Sequence, residues 1–244
     1  MDQAAFFDAI RVGDLLTVDR LLTARPALAG ASDGTGQSAL TVAAYHRQWP
    51  IVDRIRATGP DLDRFEAAIV GDVGGVAAEL DEAEREAEIE RETVGRRDRR
   101  AAAGDEGSTA LVDERSADGF TALHLAAFFG RLEVARLLLA RGADPDVWAT
   151  GDLHVQPLHS AVAGGHEQVA ALLVDAGADV NAAQDGGSTP LMGAAQNGLA
   201  ATVALLLAHG ADPRAYDQDI LTAADLADRA GHREIAATIR TAAG

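Results

Sequence analysis

The sequence contains no cysteine and no lysine. Without cysteine there are no disulfides, thiolate nucleophiles, cysteine–zinc sites or iron–sulfur clusters. Without lysine there is no P-loop lysine, no Schiff-base lysine and no kinase-type strand lysine. All 21 basic residues are arginine, a usage that points to a GC-rich, bacterial-type coding sequence. Aromatics make up only 4% of the chain, so Ala and Leu must fill its core. No apolar run approaches the roughly 18 residues needed to cross a membrane. The opening MDQAAFFDAI has no basic region ahead of an apolar one, so no signal peptide is expected. These absences predict a cytoplasmic protein that does not contact membranes. Positive charge is also in deficit, with a net −17. Phosphate neutralisation needs clustered cations, so nucleic acid is excluded as a partner, and a charged partner is expected to be basic.

What the sequence does contain is one pattern written three times between Asp118 and Gln218. The copies read DGFTALHLAAFFGRLEVARLLLARGADPDV, VQPLHSAVAGGHEQVAALLVDAGADVNA and GSTPLMGAAQNGLAATVALLLAHGADPRA. Their equivalent glycines, Gly142, Gly177 and Gly210, lie 35 and 33 residues apart, a period that signals a stacked repeat array. Thr189-Pro190-Leu191 reads as a helix start, with a capping hydroxyl followed by a proline whose missing donor costs nothing there. A short Ala-rich helix follows and breaks at Gly130, Gly165 or Gly198. The second helix of each copy repeats Val134-Leu137-Leu138 at the i, i+3, i+4 spacing of one buried face. It ends at a glycine suited to a left-handed cap. One such unit cannot bury its apolar face alone, and stacking supplies the missing wall.

Thr121-Ala-Leu-His124-Leu-Ala126, Pro157-Leu-His159, Thr189-Pro-Leu191 and the Gly-Ala-Asp tails resemble ankyrin repeats. The resemblance implies an all-α solenoid of stacked helix-turn-helix units with short hairpin-like fingers. It also implies a non-catalytic, monomeric scaffold that binds another protein, without cofactors. It assigns His124 and His159 a structural role, which agrees with Met192 standing at the same place in the third copy. The predicted organisation is a degenerate N-terminal cap at 1–34, repeats at 35–63, 64–117, 118–150, 151–184 and 185–217, and a C-terminal cap at 218–244.

The repeat at 64–117 overruns its period, since Leu40 to Leu123 spans 83 residues. The excess falls in a charged insertion at about 81–109. There Asp81/Arg85 and Glu92/Arg96 are acid-then-base pairs at helical spacing, and Leu80, Ala83, Ala87 and Val94 form a thin apolar stripe. The second helix is predicted to run on to about Arg91–Arg100, with Gly104–Gly107 returning the chain. The insertion reads either as a solvated excursion or as an arm that meets a partner through Arg96-Arg97 and Arg99-Arg100.

In arrays of this family the two residues before the turn glycine and the finger tips line one concave surface. Carried over by position, they give Tyr45, His46, Ile69, Val70, Phe128, Phe129, Gln196, Asn197 and Arg229 from the helices, and Trp148, Asp152, His154 and Tyr216 from the fingers. Ile69, Val70, Phe128 and Phe129 are large and apolar where exposure is expected, beside a hollow at Ala163/Gly164. Two readings of Phe128 and Phe129 stand open, a binding patch or core. Trp148 is the strongest single anchor candidate. No metalloprotease, nucleophile-elbow or P-loop pattern is complete in the chain. His154, His159 and Asp152 form the one constellation with a bearing on metal or proton chemistry. Two alternatives to the scaffold remain. One is a small-molecule or catalytic pocket closed by the inserted arm, with Tyr45, His46, Asp152 and His154 as its polar groups. The other is an acidic immunity or inhibitor protein directed at a basic toxin or enzyme.

Overall fold

A computed structural model describes residues 2–94, 111–151 and 153–244. Among them, fourteen α-helices follow one another as seven pairs. The pairs are α1 (Asp2–Val12) with α2 (Leu15–Ala24), α3 (Ala39–Tyr45) with α4 (Trp49–Arg56), and α5 (Arg64–Val70) with α6 (Val73–Val94). They continue with α7 (Ala122–Phe128) and α8 (Leu132–Ala140), then α9 (Pro157–Gly164) and α10 (Glu167–Asp175). The last two are α11 (Pro190–Gln196) with α12 (Ala200–Ala208), and α13 (Ala223–Ala230) with α14 (Arg233–Ala243). Each odd-numbered helix packs on the next odd-numbered one, and most even-numbered helices do the same in a second layer. This is the all-α stack expected from the repeats. The fingers between pairs form no strand among the described residues, only single antiparallel bridges such as Arg115–Thr121 and Tyr216–Thr222.

The apolar period of each copy becomes one continuous core. Leu123, Leu158 and Leu191 from the first helices and Val134, Val169 and Val203 from the second are all buried. The alanines Ala126, Ala127, Ala161, Ala194 and Ala195 are 0% exposed, which is what lets neighbouring first helices pack closely.

The turn inside each pair needs a left-handed residue, and six of the seven supply glycine there: Gly13, Gly71, Gly130, Gly165, Gly198 and Gly231. The seventh has Arg47 at φ 57.

The position three residues into each first helix explains the histidines. The Nδ1 of His124 accepts from the Thr121 backbone N–H at 3.3 Å, while its Nε2 donates to the Val155 carbonyl of the next finger at 3.1 Å. In other copies the same acceptor is His159 Nδ1 at 3.3 Å, Met192 Sδ at 3.5 Å, Asp225 Oδ2 at 3.1 Å and Glu66 Oε2 at 3.2 Å. What the slot requires is a lone pair aimed at the cap N–H, not an imidazole.

Finger aspartates are likewise turn formers. Asp144, Asp179 and Asp212 each accept from the N–H two residues on, at 2.9 Å. Asp113, Asp146 and Asn181 then accept from the backbone N–H of the next copy, those of Asp144, Asp179 and Asp212, at 3.2, 2.8 and 2.8 Å. This ladder joins successive fingers.

Helix α6 runs past Leu80 to Val94. Segment 95–110, with Arg96-Arg97, Arg99-Arg100 and Gly104–Gly107, lies outside the described residues, and so does the Glu92/Arg96 pair. The Asp81/Arg85 pair does not form. Arg85 pairs with Glu82 one turn away, and Asp81 reaches Arg141 beyond α8 at 2.8 Å.

Candidate recognition site

The first helices and fingers enclose a recess of about 460 Å³. Tyr45 of α3 and Leu125, Phe128 and Ala163 of α7 and α9 form its floor and one wall. Phe120, Leu153 and Val155 from the fingers close the other side, with Asp118 and Gln184 at the polar edge. Three repeats contribute, and the fixed step of the stack brings together residues that lie far apart in the chain.

Tyr45 is held in place rather than free. Its hydroxyl donates to Asp118 Oδ2 at 2.6 Å, and its ring stacks on Phe129 with centroids 5.8 Å apart. Burial pushes the phenol pKa well above its usual value, and the hydrogen bond and negative charge of Asp118 push it the same way. Asp118 also accepts from the Ser116 hydroxyl and, at 3.5 Å, from the Gln37 amide. Its carboxylate is therefore largely occupied within the protein.

The structure corrects several sequence expectations. Ile69 is 0% exposed and cannot meet a partner. From its cap at Asp63 to Gly71, α5 is one residue shorter than the segment from Thr121 to Gly130. Counted from the cap, Ile69 falls in the slot of Ala44 and Ala127, both fully buried. Phe129 is buried as well, at 8% exposure, under the rings of Tyr45, Trp49 and Phe128. It reaches past the repeat at 64–117, whose first helix is one residue short, to the one before. Trp148 does not join Phe128 in the recess. Its ring stacks on His154 at 4.2 Å, and both stand outside the recess lining. His154 faces Asp185 at 3.6 Å, and Asp152, the third member of its constellation with His159, lies outside the described residues.

Val70 and Phe128 are half-buried, and His46, His154, Gln196, Asn197, Tyr216 and Arg229 are exposed. Asn197 also donates to the Val162 carbonyl at 3.2 Å, a link between neighbouring first helices. The sequence reading passed over Gln37, Phe120, Leu125, Leu153, Val155 and Gln184. Leu153 carried a signal, a large apolar residue on a lengthened finger, and it stands 61% exposed.

Residues 118–149 match the model of an ankyrin repeat, and residues 148–217 match that of ankyrin repeats in three copies. Residues 118–217 are ankyrin repeats. It is 32% identical over 126 residues to the ankyrin repeat and KH domain-containing protein mask-1 of Caenorhabditis elegans, covering 52% of this chain and 5% of that one. It is 43% identical over 75 residues to a putative E3 ubiquitin-protein ligase XBAT34 of Arabidopsis thaliana, covering 30% and 20%. Protein glp-1 of Caenorhabditis elegans is 34% identical over 141 residues, covering 54% and 11%. The chain thus spans at most 20% of the length of these relatives. Ankyrin repeats generally mediate protein–protein interaction.

Proposed function

We propose that this ankyrin array is a non-catalytic scaffold that binds a segment of another protein, with an apolar side chain of that segment seated in the Phe128 recess. The observation that carries the reading is the recess itself, walled by Phe120, Leu125, Phe128, Leu153 and Val155 and floored by an immobilised Tyr45. A surface already rigid before binding loses little side-chain entropy, so more of the contact energy appears as affinity. The net charge of −17 favours basic residues flanking the apolar anchor. A recess of this size also lies within the range of small-ligand sites, about 300–1,000 Å³. Its single carboxylate is already engaged by Tyr45, Ser116 and Gln37, which leaves few polar groups to orient a small molecule. That favours the protein segment.

Selection of displayed random peptides on the immobilised protein tests the reading. The expected winners carry one large apolar residue flanked by Arg or Lys, bind more weakly as salt rises, and lose about tenfold or more in affinity to Phe128→Ala. Winners indifferent to Phe128 would overturn it.

A further inference from the structure

A second recess, of about 490 Å³, lies at the turn end of the array and is lined by Arg47, Trp49, Phe128, Arg131 and His166 among others. We propose that it is a binding site for an oxyanion, a carboxylate or a phosphate, carried on a flat apolar body. The reading is independent of the peptide recess, with which it shares only Phe128.

Charge is the first argument. In a protein of net charge −17, Arg47, Arg56 and Arg131 have no ion pair among the described residues. Arg131 is positioned without being neutralised. Its Nε donates to the Ile69 carbonyl at 2.7 Å, and its guanidinium lies over the Trp49 ring, 5.2 Å from the centroid. The two terminal nitrogens remain as a fork of donors, the geometry that matches carboxylate and phosphate oxygens. The His166 ring packs against Gly130. Burial lowers its pKa, and the charges of Arg131 and Arg47 lower it further, so both cations act on the same small volume.

Backbone is the second argument. Arg47 takes the left-handed conformation that glycine takes in the other six turns. A side chain there is strained, and glycine would relieve the strain. Keeping arginine costs stability and places a guanidinium at the mouth of the recess, the pattern expected where a site is retained at the fold's expense. Shape is the third. Trp49 and Phe128 provide aromatic walls, and Gly164 lets the neighbouring first helix and the His166 ring close up on the recess: a Cβ there would lie 2.3 Å from the Phe128 carbonyl oxygen.

Titration calorimetry in a phosphate-free, low-salt buffer tests the site with phenyl phosphate, phenylacetate, inorganic phosphate and phenol. Saturable binding of phenyl phosphate or phenylacetate is expected, with inorganic phosphate weaker and phenol silent. The two aryl probes distinguish phosphate from carboxylate as the preferred head. Arg47→Gly is expected to melt at an equal or higher temperature while losing about tenfold in affinity, the equivalent of one charge-assisted contact. Arg47→Gln, which keeps the left-handed side chain but not the charge, should lose as much and serves if the glycine variant folds poorly. Arg233→Gln, which removes an exposed arginine of α14 outside both recesses, should bind as the unaltered protein does. The site is overturned if neither aryl anion binds saturably at about 10 mM, a free-energy threshold near −2.7 kcal/mol. It is equally overturned if the folded Arg47 variants bind unchanged.

Discussion

The Tyr45 hydroxyl donates to Asp118 Oδ2 at 2.6 Å, across 73 positions of sequence, and ties the first helix of the second pair to the finger of the fourth. The bond spans the repeat whose first helix is one residue short. Tyr45→Phe keeps the stack on Phe129 and removes only the donor. Hydrogen bonds to charged groups contribute about 1.5–3 kcal/mol, and Asp118 retains Ser116 and Gln37, so a loss of about 1 kcal/mol is expected. Urea unfolding measures it. An unchanged midpoint would mean that the bridge between these repeats stabilises nothing.

His124 gives the fold a pH dependence of definite sign. Burial lowers its pKa to about 4, against about 6.5 in an unfolded chain. The folded form therefore binds fewer protons than the unfolded form between those values, and stability falls as pH drops through that window. At about 1.4 kcal/mol per pH unit, the contribution lost by pH 4 approaches about 3 kcal/mol. His124→Met installs the residue that Met192 already provides in another copy. The stability advantage of the parent over this variant should shrink from pH 6.5 to pH 4. Parallel curves would contradict the assignment.

Gly119 and Gly142 share a φ of +86 and differ in their surroundings. A Cβ at Gly142 meets nothing within 4 Å, whereas one at Gly119 would lie 1.9 Å from the Thr150 carbonyl oxygen. Gly142→Ala should cost only the left-handed strain, about 1 kcal/mol. Gly119→Ala should cost more than about 3 kcal/mol, because the facing atom belongs to the backbone of the next finger. Equal melting temperatures for the two variants would show that the fingers are not packed so tightly.

Ile220 reverses the case. It has φ 60, is β-branched and stands 77% exposed. Ile220→Gly should stabilise the protein by about 1 kcal/mol in thermal or urea unfolding. A loss of stability would mean that the isoleucine makes contacts that outweigh its strain.

The stack was legible because its signal is periodic. Val134-Leu137-Leu138 and its repeats define a buried face, and Thr189-Pro190 defines a helix start. Met192 in the histidine slot was enough to argue against catalysis by His124. Two features were hidden. Ile69 and Val70 were aligned on Gly71, whereas burial follows the count from the cap at Asp63, and a single missing residue rotates a helix by about 100°. The recess was hidden because Tyr45, Asp118, Phe128, Leu153 and Gln184 come from three repeats and meet only through the stacking step. Trp148 illustrates the converse, since an aromatic on a finger finds a neighbouring ring, His154, before it finds a partner.

The most direct measurement is the affinity of one selected peptide for the parent protein and for Ala163→Trp. Ala163 is an exposed residue on the recess wall, so an indole there fills the cavity without disturbing the core. The account predicts that the variant folds with an unchanged melting temperature and binds the peptide at least tenfold more weakly. Equal affinity for the filled and open forms would contradict it.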